Sequence, residues 1–301
     1  MKSIVSYPER GEGGSNRYRG NCSPKLVEDL IHHYGISDIC DYMAGSYTTQ
    51  DAALAAGLAR ENIHCYDLNH GFDLMTMDIQ ERPEFIFWHP PYWDIVTYSD
   101  NMYSARSIID QYNFDPRKND LSRAKTWDKF VEMQNYCMMK LYASLDTGGR
   151  AAVLMGDIKK KGKLYSQLCS IVKPGTLEQI VIKAQHNCFS DRTTYSNHNF
   201  IPICHEYLMI VRKDFPLMVN YMLTKELKTD LRDLKCATWR SIVAEVLQTI
   251  GGEAELSEIY SMIEGHRKCE TNMHWKEKVR QTLGRNKEFV SKARGRWSHA
   301  A

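Results

Sequence analysis

None of the nine cysteines in these 301 residues stands in a Cys-x-x-Cys pair. The motifs of zinc knuckles and dithiol redox centres are therefore missing, and scattered thiols of this kind suit a reducing compartment. No apolar run approaches the roughly 18 residues that a membrane span needs, and the N-terminus lacks the apolar core of a secretion signal. A cytoplasmic chain without a membrane partner is expected. Excess charge is scarce too: 39 Lys and Arg stand against 37 Asp and Glu, a formal net charge of +2. Affinity for nucleic acid must then rest on local clustering. Repeats and low-complexity tracts do not stand out, although Gly11 to Ser15 reads as a mobile arm. What is present, 43% apolar and 25% charged residues, is an ordinary globular composition with room for one large domain and a small one.

The most informative run is Ile86-Phe87-Trp88-His89-Pro90-Pro91-Tyr92-Trp93, an apolar strand entering a turn whose φ angles are preset by two prolines. Upstream, Ile39-Cys40-Asp41-Tyr42-Met43-Ala44-Gly45-Ser46-Tyr47-Thr48-Thr49 reads as a short strand and a small-residue turn, followed by an Ala-rich helix from Asp51 to Leu58. Backbone N–H groups at such a βα junction approach a ligand closely. Asp67 follows Gly45 by 22 residues, at the end of the strand-like Ile63-His64-Cys65-Tyr66. A carboxylate there is placed to accept both ribose hydroxyls of a nucleoside cofactor.

With these motifs in order, the chain resembles the S-adenosylmethionine-dependent DNA amino-methyltransferases, which make N6-methyladenine or N4-methylcytosine. Arg19-Gly20-Asn21-Cys22-Ser23-Pro24 resembles the family's N-terminal cofactor segment, Asp41 to Thr49 its cofactor loop, and His89-Pro90-Pro91-Tyr92 its catalytic turn. Gly148 to Asp157 and His205 to Lys213 look like closing strands of the same domain. The resemblance implies a doubly wound, Rossmann-like α/β domain over residues 1–229 that binds S-adenosylmethionine. It implies a cofactor site formed by Asn21, Cys22, Ser23, Asp41, Met43, Gly45, Ser46, Thr48, Thr49, Asp67, Leu68 and Asp73, and a catalytic group of His89, Pro90, Pro91 and Tyr92. No metal is implied, and no Pro-Cys pair suggests attack on a ring carbon.

Two departures from the family pattern matter. Tyr47 stands where the family usually has Gly, so either its backbone avoids positive φ or the loop is reshaped. His89 replaces a residue with a side-chain oxygen; a neutral imidazole accepts through one nitrogen, whereas an imidazolium has no acceptor. With the His89 ring nitrogen and the Pro90 carbonyl gripping the two N–H bonds, an aromatic amine becomes more tetrahedral at nitrogen. That is catalysis by positioning and charge stabilisation. Tyr92 supplies a flat face for a base swung out of a duplex, and Trp93 extends that wall. If the neutral ring must accept, activity falls as pH drops through the imidazole range near 6.5.

Residues 230–301 carry a second pattern. Trp239, Ile242, Val243, Val246, Leu247 and Ile250 recur at helical spacing, Glu255 to Ile263 reads as a second helix, a third starts near Trp275, and Phe289 to Trp297 reads as a hairpin. The order resembles a small winged helix. From Arg267 onward ten basic residues stand against three acidic ones, a phosphate footprint in which Lys276 and Arg280 share a helix face and Arg294 and Arg296 flank the wing turn. A protein-interaction cap is the alternative. Between the domains, Lys225 to Lys235 reads as a helical connector.

The insert from Asp94 to Asp128 mixes aromatic and basic residues suited to a distorted duplex, among them Tyr98, Arg106, Lys118 and Arg123. A second polar stretch, Gln185 to Asn199, has histidines without metal-ligand spacing. Double-stranded DNA is thus the expected partner, with a cognate nuclease a further one, and adenine N6 is favoured over cytosine N4. RNA bases, a protein amide, or a non-catalytic DNA-binding subunit of methylase-like fold are the other readings.

Overall fold

The computed structural model describes residues 1–186, 200–215, 221–222 and 238–299. The connector read over Lys225 to Lys235, and the part of the histidine-bearing stretch from Asn187 to Asn199, lie outside the described residues. The chain divides into two compact units, Met1–Lys225 and Glu226–Ala301.

The larger unit is a mixed α/β structure. Its strands are β1 (Ile4–Ser6), β2 (Ile39–Asp41), β3 (Ile63–Cys65), β4 (Phe85–Trp88), β5 (Arg150–Met155), β6 (Ile158–Lys160), β7 (Lys163–Tyr165), β8 (Lys173–Pro174), β9 (Thr176–Ala184), β10 (His205–Arg212) and β11 (Tyr221–Met222). Its helices are α1 (Pro24–Tyr34), α2 (Thr48–Ala55), α3 (Ala105–Tyr112), α4 (Trp127–Ser144) and α5 (Gln167–Ser170). Seven strands form one sheet in the order β1-β9-β10-β5-β4-β2-β3. Only β10 runs against its neighbours, being antiparallel to both β5 and β9.

Helices cover both faces, which is why the central strands read as unbroken apolar runs. On one face α1 buries Leu26, Val27, Leu30 and Ile31 with Phe85, Phe87, Leu154 and Leu208. Pro24 starts this helix, and Gly35 at φ 63° ends it in the left-handed conformation that a residue without Cβ adopts freely. On the other face α4, capped by the Thr126 hydroxyl, buries Phe130, Met138 and Leu141 with Ile86, Trp88, Val153 and Met209. The alternation along Phe85 to Trp88 thus sends successive side chains to opposite cores.

The chain leaves β2 for β3 on one side and returns to β4 on the other, with β2 between them. The loops after β2 and β4 diverge at this point, which opens a crevice at the carboxyl ends of the strands. Asp41 and His89 stand at that crevice.

The smaller unit contains α6 (Trp239–Ile250), β12 (Glu253–Glu255), α7 (Leu256–Ile263), α8 (Arg267–Glu270), α9 (Trp275–Arg285), β13 (Phe289–Ala293) and β14 (Arg296–His299). Ile242, Val246, Leu247, Ile259, Ile263, Val279, Leu283 and Phe289 form its own core. The Thr238 and Ser241 side chains make a reciprocal capping box at the start of α6. The strand β12 was not expected from sequence; it adds to the hairpin to give an antiparallel sheet of order β12-β14-β13.

Candidate active site

A cleft of about 800 Å³, counted to its open mouth, lies at the divergence of the loops after β2 and β4. Of the twelve residues read as the cofactor site, eleven line it: Asn21, Cys22, Asp41, Met43, Gly45, Ser46, Thr48, Thr49, Asp67, Leu68 and Asp73. Ser23 is the exception. Its hydroxyl donates to the Arg10 carbonyl at 2.7 Å, and it serves the start of α1 instead.

The loop after β2 is held from within. Asp41 accepts from the Thr49 hydroxyl at 2.5 Å and from the Met43 amide at 3.0 Å, and Asp67 accepts from the amides of Gly45 and Asn69, each at 2.9 Å. Each carboxylate oxygen keeps acceptor capacity beyond these bonds. Gly45 has φ 53°, and a Cβ there would come 2.7 Å from the Tyr18 ring, so the glycine serves both the turn and a close approach. Tyr47 keeps left-handed geometry too, at φ 63°, with its ring 4.7 Å from that of His70. The loop is not reshaped; a non-glycine residue bears the conformational cost.

The Gly11 to Ser15 segment, read as a mobile arm, is tied down over this loop. The Gly14 amide donates to Asp51 at 2.8 Å and the Ser15 amide to the Ser46 hydroxyl at 3.0 Å.

Electrostatically the cleft is one-sided. Four aspartates (Asp41, Asp67, Asp73 and Asp120) line it, and no Arg or Lys does among the described residues. Burial pushes the Asp41 carboxyl up to about 7, against the hydrogen bonds from Thr49 and Met43, and burial raises Asp67 as well. Burial also raises the Cys22 thiol to about 12, which leaves it unreactive.

The turn after β4 stands between this cleft and a second one. His89 and Pro91 line the first; Tyr92 lines the second with Ile95, Gly156, Asp157, Phe200, His205 and Glu206. His89 Nε2 is 3.0 Å from the Tyr92 hydroxyl, which donates to Glu206 Oε1 at 2.6 Å, while Lys183 Nζ donates to Glu206 Oε2 at 2.6 Å. Burial lowers the His89 pKa to about 4, so the ring is neutral at ordinary pH. Burial works to raise the Glu206 carboxyl, but the Lys183 ammonium beside it and the hydrogen bonds from Lys183 and Tyr92 work the other way, and the net displacement is downward.

Gln167 fixes the turn from behind: its amide donates to the Pro91 carbonyl at 2.8 Å and accepts from the Gly156 amide at 3.2 Å. Among the described residues no donor reaches the Pro90 carbonyl. Gly156 leaves room for Tyr92, since a Cβ there would fall 2.6 Å from the ring.

No protein-family model matches this chain, and no curated protein does. Among solved structures, a candidate DNA modification methylase of Thermus thermophilus aligns at 13% identity over 60% of this chain and 54% of the other, with a TM-score of 0.28. TrmN of Thermus thermophilus aligns at 12% identity over 65% and 51%, with a TM-score of 0.31. Human N-acetylserotonin methyltransferase, solved with SAM, aligns at 10% over 64% and 52%, with a TM-score of 0.30. The chain spans about half the length of these proteins. With likeness this partial, the chemistry of the site rests on its own residues.

The insert from Asp94 to Asp128 is an ordered wall of the first cleft. Asp120 accepts from the amides and hydroxyls of Ser99 and Ser122, and Tyr98, Tyr103, Asn119 and Leu121 line the cleft beside it. Two residues read as nucleic-acid contacts are placed elsewhere. Trp93 is 6% exposed, its indole donates to the Ala124 carbonyl at 2.9 Å, and its ring packs on Trp127 and Tyr165. Tyr98 faces the first cleft beside Tyr18. Arg123 stays exposed while its guanidinium donates to Ser99 Oγ and the Ser99 carbonyl, both at 2.6 Å, and pairs with Asp100 at 3.2 Å. Arg106 and Lys118 stay on the surface, Arg106 paired with Asp110 at 3.0 Å.

In the smaller unit Lys276, Arg280, Arg294 and Arg296 are all exposed. Arg280 pairs with Glu277 at 2.9 Å and Arg296 with Glu253 at 2.6 Å. Sequence reasoning missed Glu206, Lys183 and Gln167. The available signal was a polar residue inside an apolar strand, for Lys183 in Thr176–Ala184 and Glu206 in His205–Arg212. Among the described residues no group of His, Cys, Asp and Glu could hold a metal ion, and no helix is long and apolar enough to cross a membrane.

Proposed function

We propose that this chain is an S-adenosylmethionine-dependent methyltransferase that methylates the exocyclic amino group of a base taken out of duplex DNA, adenine N6 before cytosine N4. The observation that carries the reading is a neutral imidazole acceptor, His89, on the wall of a cleft whose charged lining, among the described residues, is acidic. An acidic lining repels phosphates and so disfavours nucleotide and dinucleotide ligands; it attracts a nucleoside that carries positive charge. The sulfonium and ammonium groups of S-adenosylmethionine meet that requirement. A buried polar atom with no partner among the described residues, Thr48 Oγ1, also lines the cleft and suits a polar ligand group.

Asp67 and Asp41 would hold the adenosyl ribose and the cationic portion, with Gly45 and Ser46 supplying close backbone approach. When bound, the cofactor supplies an electrophilic methyl group. The chain's own residues then do the rest. His89 and the Pro90 carbonyl would accept hydrogen bonds from the two N–H groups of the target amine and draw its lone pair out of conjugation, so that nitrogen forms the new bond to carbon as the carbon–sulfur bond breaks and its electron pair stays on sulfur. The proton left on the methylated nitrogen passes to solvent. The second cleft receives the base: Tyr92 and Phe200 line it, and Asp157 Oδ1, buried without a partner among the described residues, is an acceptor for a base N–H.

The smaller unit, read as a winged helix, would hold the duplex through the exposed basic residues of α9 and the β13–β14 turn. The test is incubation with methyl-labelled S-adenosylmethionine and mixed-sequence duplex DNA, digestion to nucleosides and mass spectrometry. Label on adenine N6 is the expected result; label on cytosine N4 changes the base, and absence of label on any base overturns the reading.

A further inference from the structure

We propose that Glu206, oriented by Lys183, is a positioning residue that fixes the His89 tautomer, so that Nδ1 is the nitrogen offered to the substrate amine. The inference deepens the methyl-transfer reading and rests on it for its catalytic meaning, but its structural content stands apart.

The hydrogens along three contacts can each be placed in turn. Lys183 and Glu206 are register partners on β9 and β10, both buried, at 8% and 7% exposure. With Lys183 at one oxygen, Glu206 stays ionised and has no hydrogen to give. The hydrogen of the Tyr92 hydroxyl therefore lies toward Glu206 Oε1, and the Tyr92 oxygen is left only as an acceptor. His89 Nε2, 3.0 Å away, must then carry the ring hydrogen. A neutral imidazole has only one, so Nδ1 is bare. Among the described residues nothing donates to it.

Retention of a charged pair here asks for a reason. Two buried charges are costly to desolvate, and an apolar pair in their place is often neutral or stabilising. The direction imposed on Tyr92 and His89 supplies that reason, because an apolar residue at 206 would leave the hydroxyl free to donate to His89 and reverse the tautomer.

The same logic makes Glu206→Gln a sharp test. The Lys183 ammonium has only hydrogens to offer and holds the amide oxygen, which turns the amide NH2 toward Tyr92. The hydroxyl then accepts from Gln and donates to His89 Nε2, so Nδ1 becomes the protonated nitrogen.

Full-length protein labelled with 15N-histidine reads this directly, with the His89 signals assigned by difference against His89→Asn. In the wild type, Nε2 is expected at the N–H-type shift and Nδ1 at the bare-nitrogen shift, with the two exchanged in Glu206→Gln. A wild-type ring protonated at Nδ1, or a variant ring unchanged, overturns the proposal. If Glu206→Gln does not fold, Tyr92→Phe leaves the Lys183–Glu206 pair intact and is expected to convert the single tautomer into a mixture; a ring still locked with its hydrogen on Nε2 overturns it equally.

In turnover, Glu206→Gln is expected to lower kcat by about a hundredfold, with cofactor affinity changed less than about twofold, within the range for a misplaced proton-transfer or acceptor group. In a His89→Asn background, whose amide oxygen accepts without the relay, the same change is expected to cost less than about twofold. A loss as large in that background shows a merely structural role and overturns the proposal. Exchanged tautomers in a protein that methylates no base would leave the relay standing and remove the methyl-transfer reading.

Discussion

His89 Nε2 lies 3.0 Å from the Tyr92 hydroxyl, inside a site that desolvates the ring enough to lower its pKa to about 4. The ring therefore loses its acceptor only as pH falls through about 4. An unperturbed histidine would lose it near 6.5. Turnover measured between pH 8 and pH 5 is expected to show no step attributable to His89, in contrast to the expectation from sequence. The sign for stability follows from the same depression. The unfolded chain binds this proton from about pH 6.5 downward and the folded chain does not, so stability declines as pH falls from about 6.5 toward 4. A kcat profile centred near 6.5 would show that the ring is solvated.

Removing the ring separates chemistry from binding. His89→Ala deletes one of the two acceptors proposed for a target amine while leaving the exposed basic residues of the smaller unit untouched. Turnover is expected to drop at least about tenfold with DNA affinity within about twofold, read by single-turnover kinetics and fluorescence anisotropy. Turnover retained above a tenth of wild type would remove His89 from the reaction.

Asp41 carries the pH dependence that His89 does not. Its carboxyl is raised to about 7 by burial, so below that pH it is largely protonated and offers no charge to a cation. A cationic cofactor favours the ionised form; its binding is expected to release a proton near pH 7 and to weaken as pH falls below 7. Calorimetry in two buffers of different ionisation enthalpy reads the released proton. Binding that takes up no proton and releases none would separate Asp41 from the ligand.

Much of this site was legible because its chemistry needs residues close in sequence. The turns after Asp41 and after Trp88 announce themselves by small residues and prolines, and the sheet places them side by side because β2 and β4 are neighbours. What the sequence hid depends on contacts across long separations. Glu206 is 114 residues from Tyr92, and Gln167 is 76 from Pro91. Trp93 and the aromatic and basic residues of Asp94 to Asp128 looked like a surface because composition does not say which way a side chain points. Trp93 turns inward because Ala124 accepts its indole hydrogen, whereas Arg123 stays exposed while bonding to Ser99.

That inward placement has a measurable consequence. Trp93→Ala removes a buried indole packed on Trp127 and Tyr165 and is expected to cost about 3–5 kcal/mol in denaturant unfolding. Arg106→Ala, at a surface position paired with Asp110 one turn away, is expected to change stability by less than about 0.5 kcal/mol. Equal and small effects would place Trp93 at the surface after all.

The smaller unit offers the plainest electrostatic test. On α9, Val279, Thr282 and Leu283 face the core, which leaves Lys276 and Arg280 on the outer face one turn apart. Lys276 lies over the Tyr260 and Trp275 rings at 5.6 and 5.3 Å, an arrangement that orients the ammonium without neutralising it. Arg280 shares its charge with Glu277, an exposed pair worth little in water and readily exchanged for a phosphate. If both side chains meet the DNA backbone, each releases about one counterion, and the logarithmic salt slope of binding falls by about 0.9 per contact. Lys276→Ala with Arg280→Ala is therefore expected to reduce the slope by about 1.8. Affinity should weaken alike on all duplex sequences, because phosphate contacts carry no base information. An unchanged slope would mean that α9 does not meet the duplex.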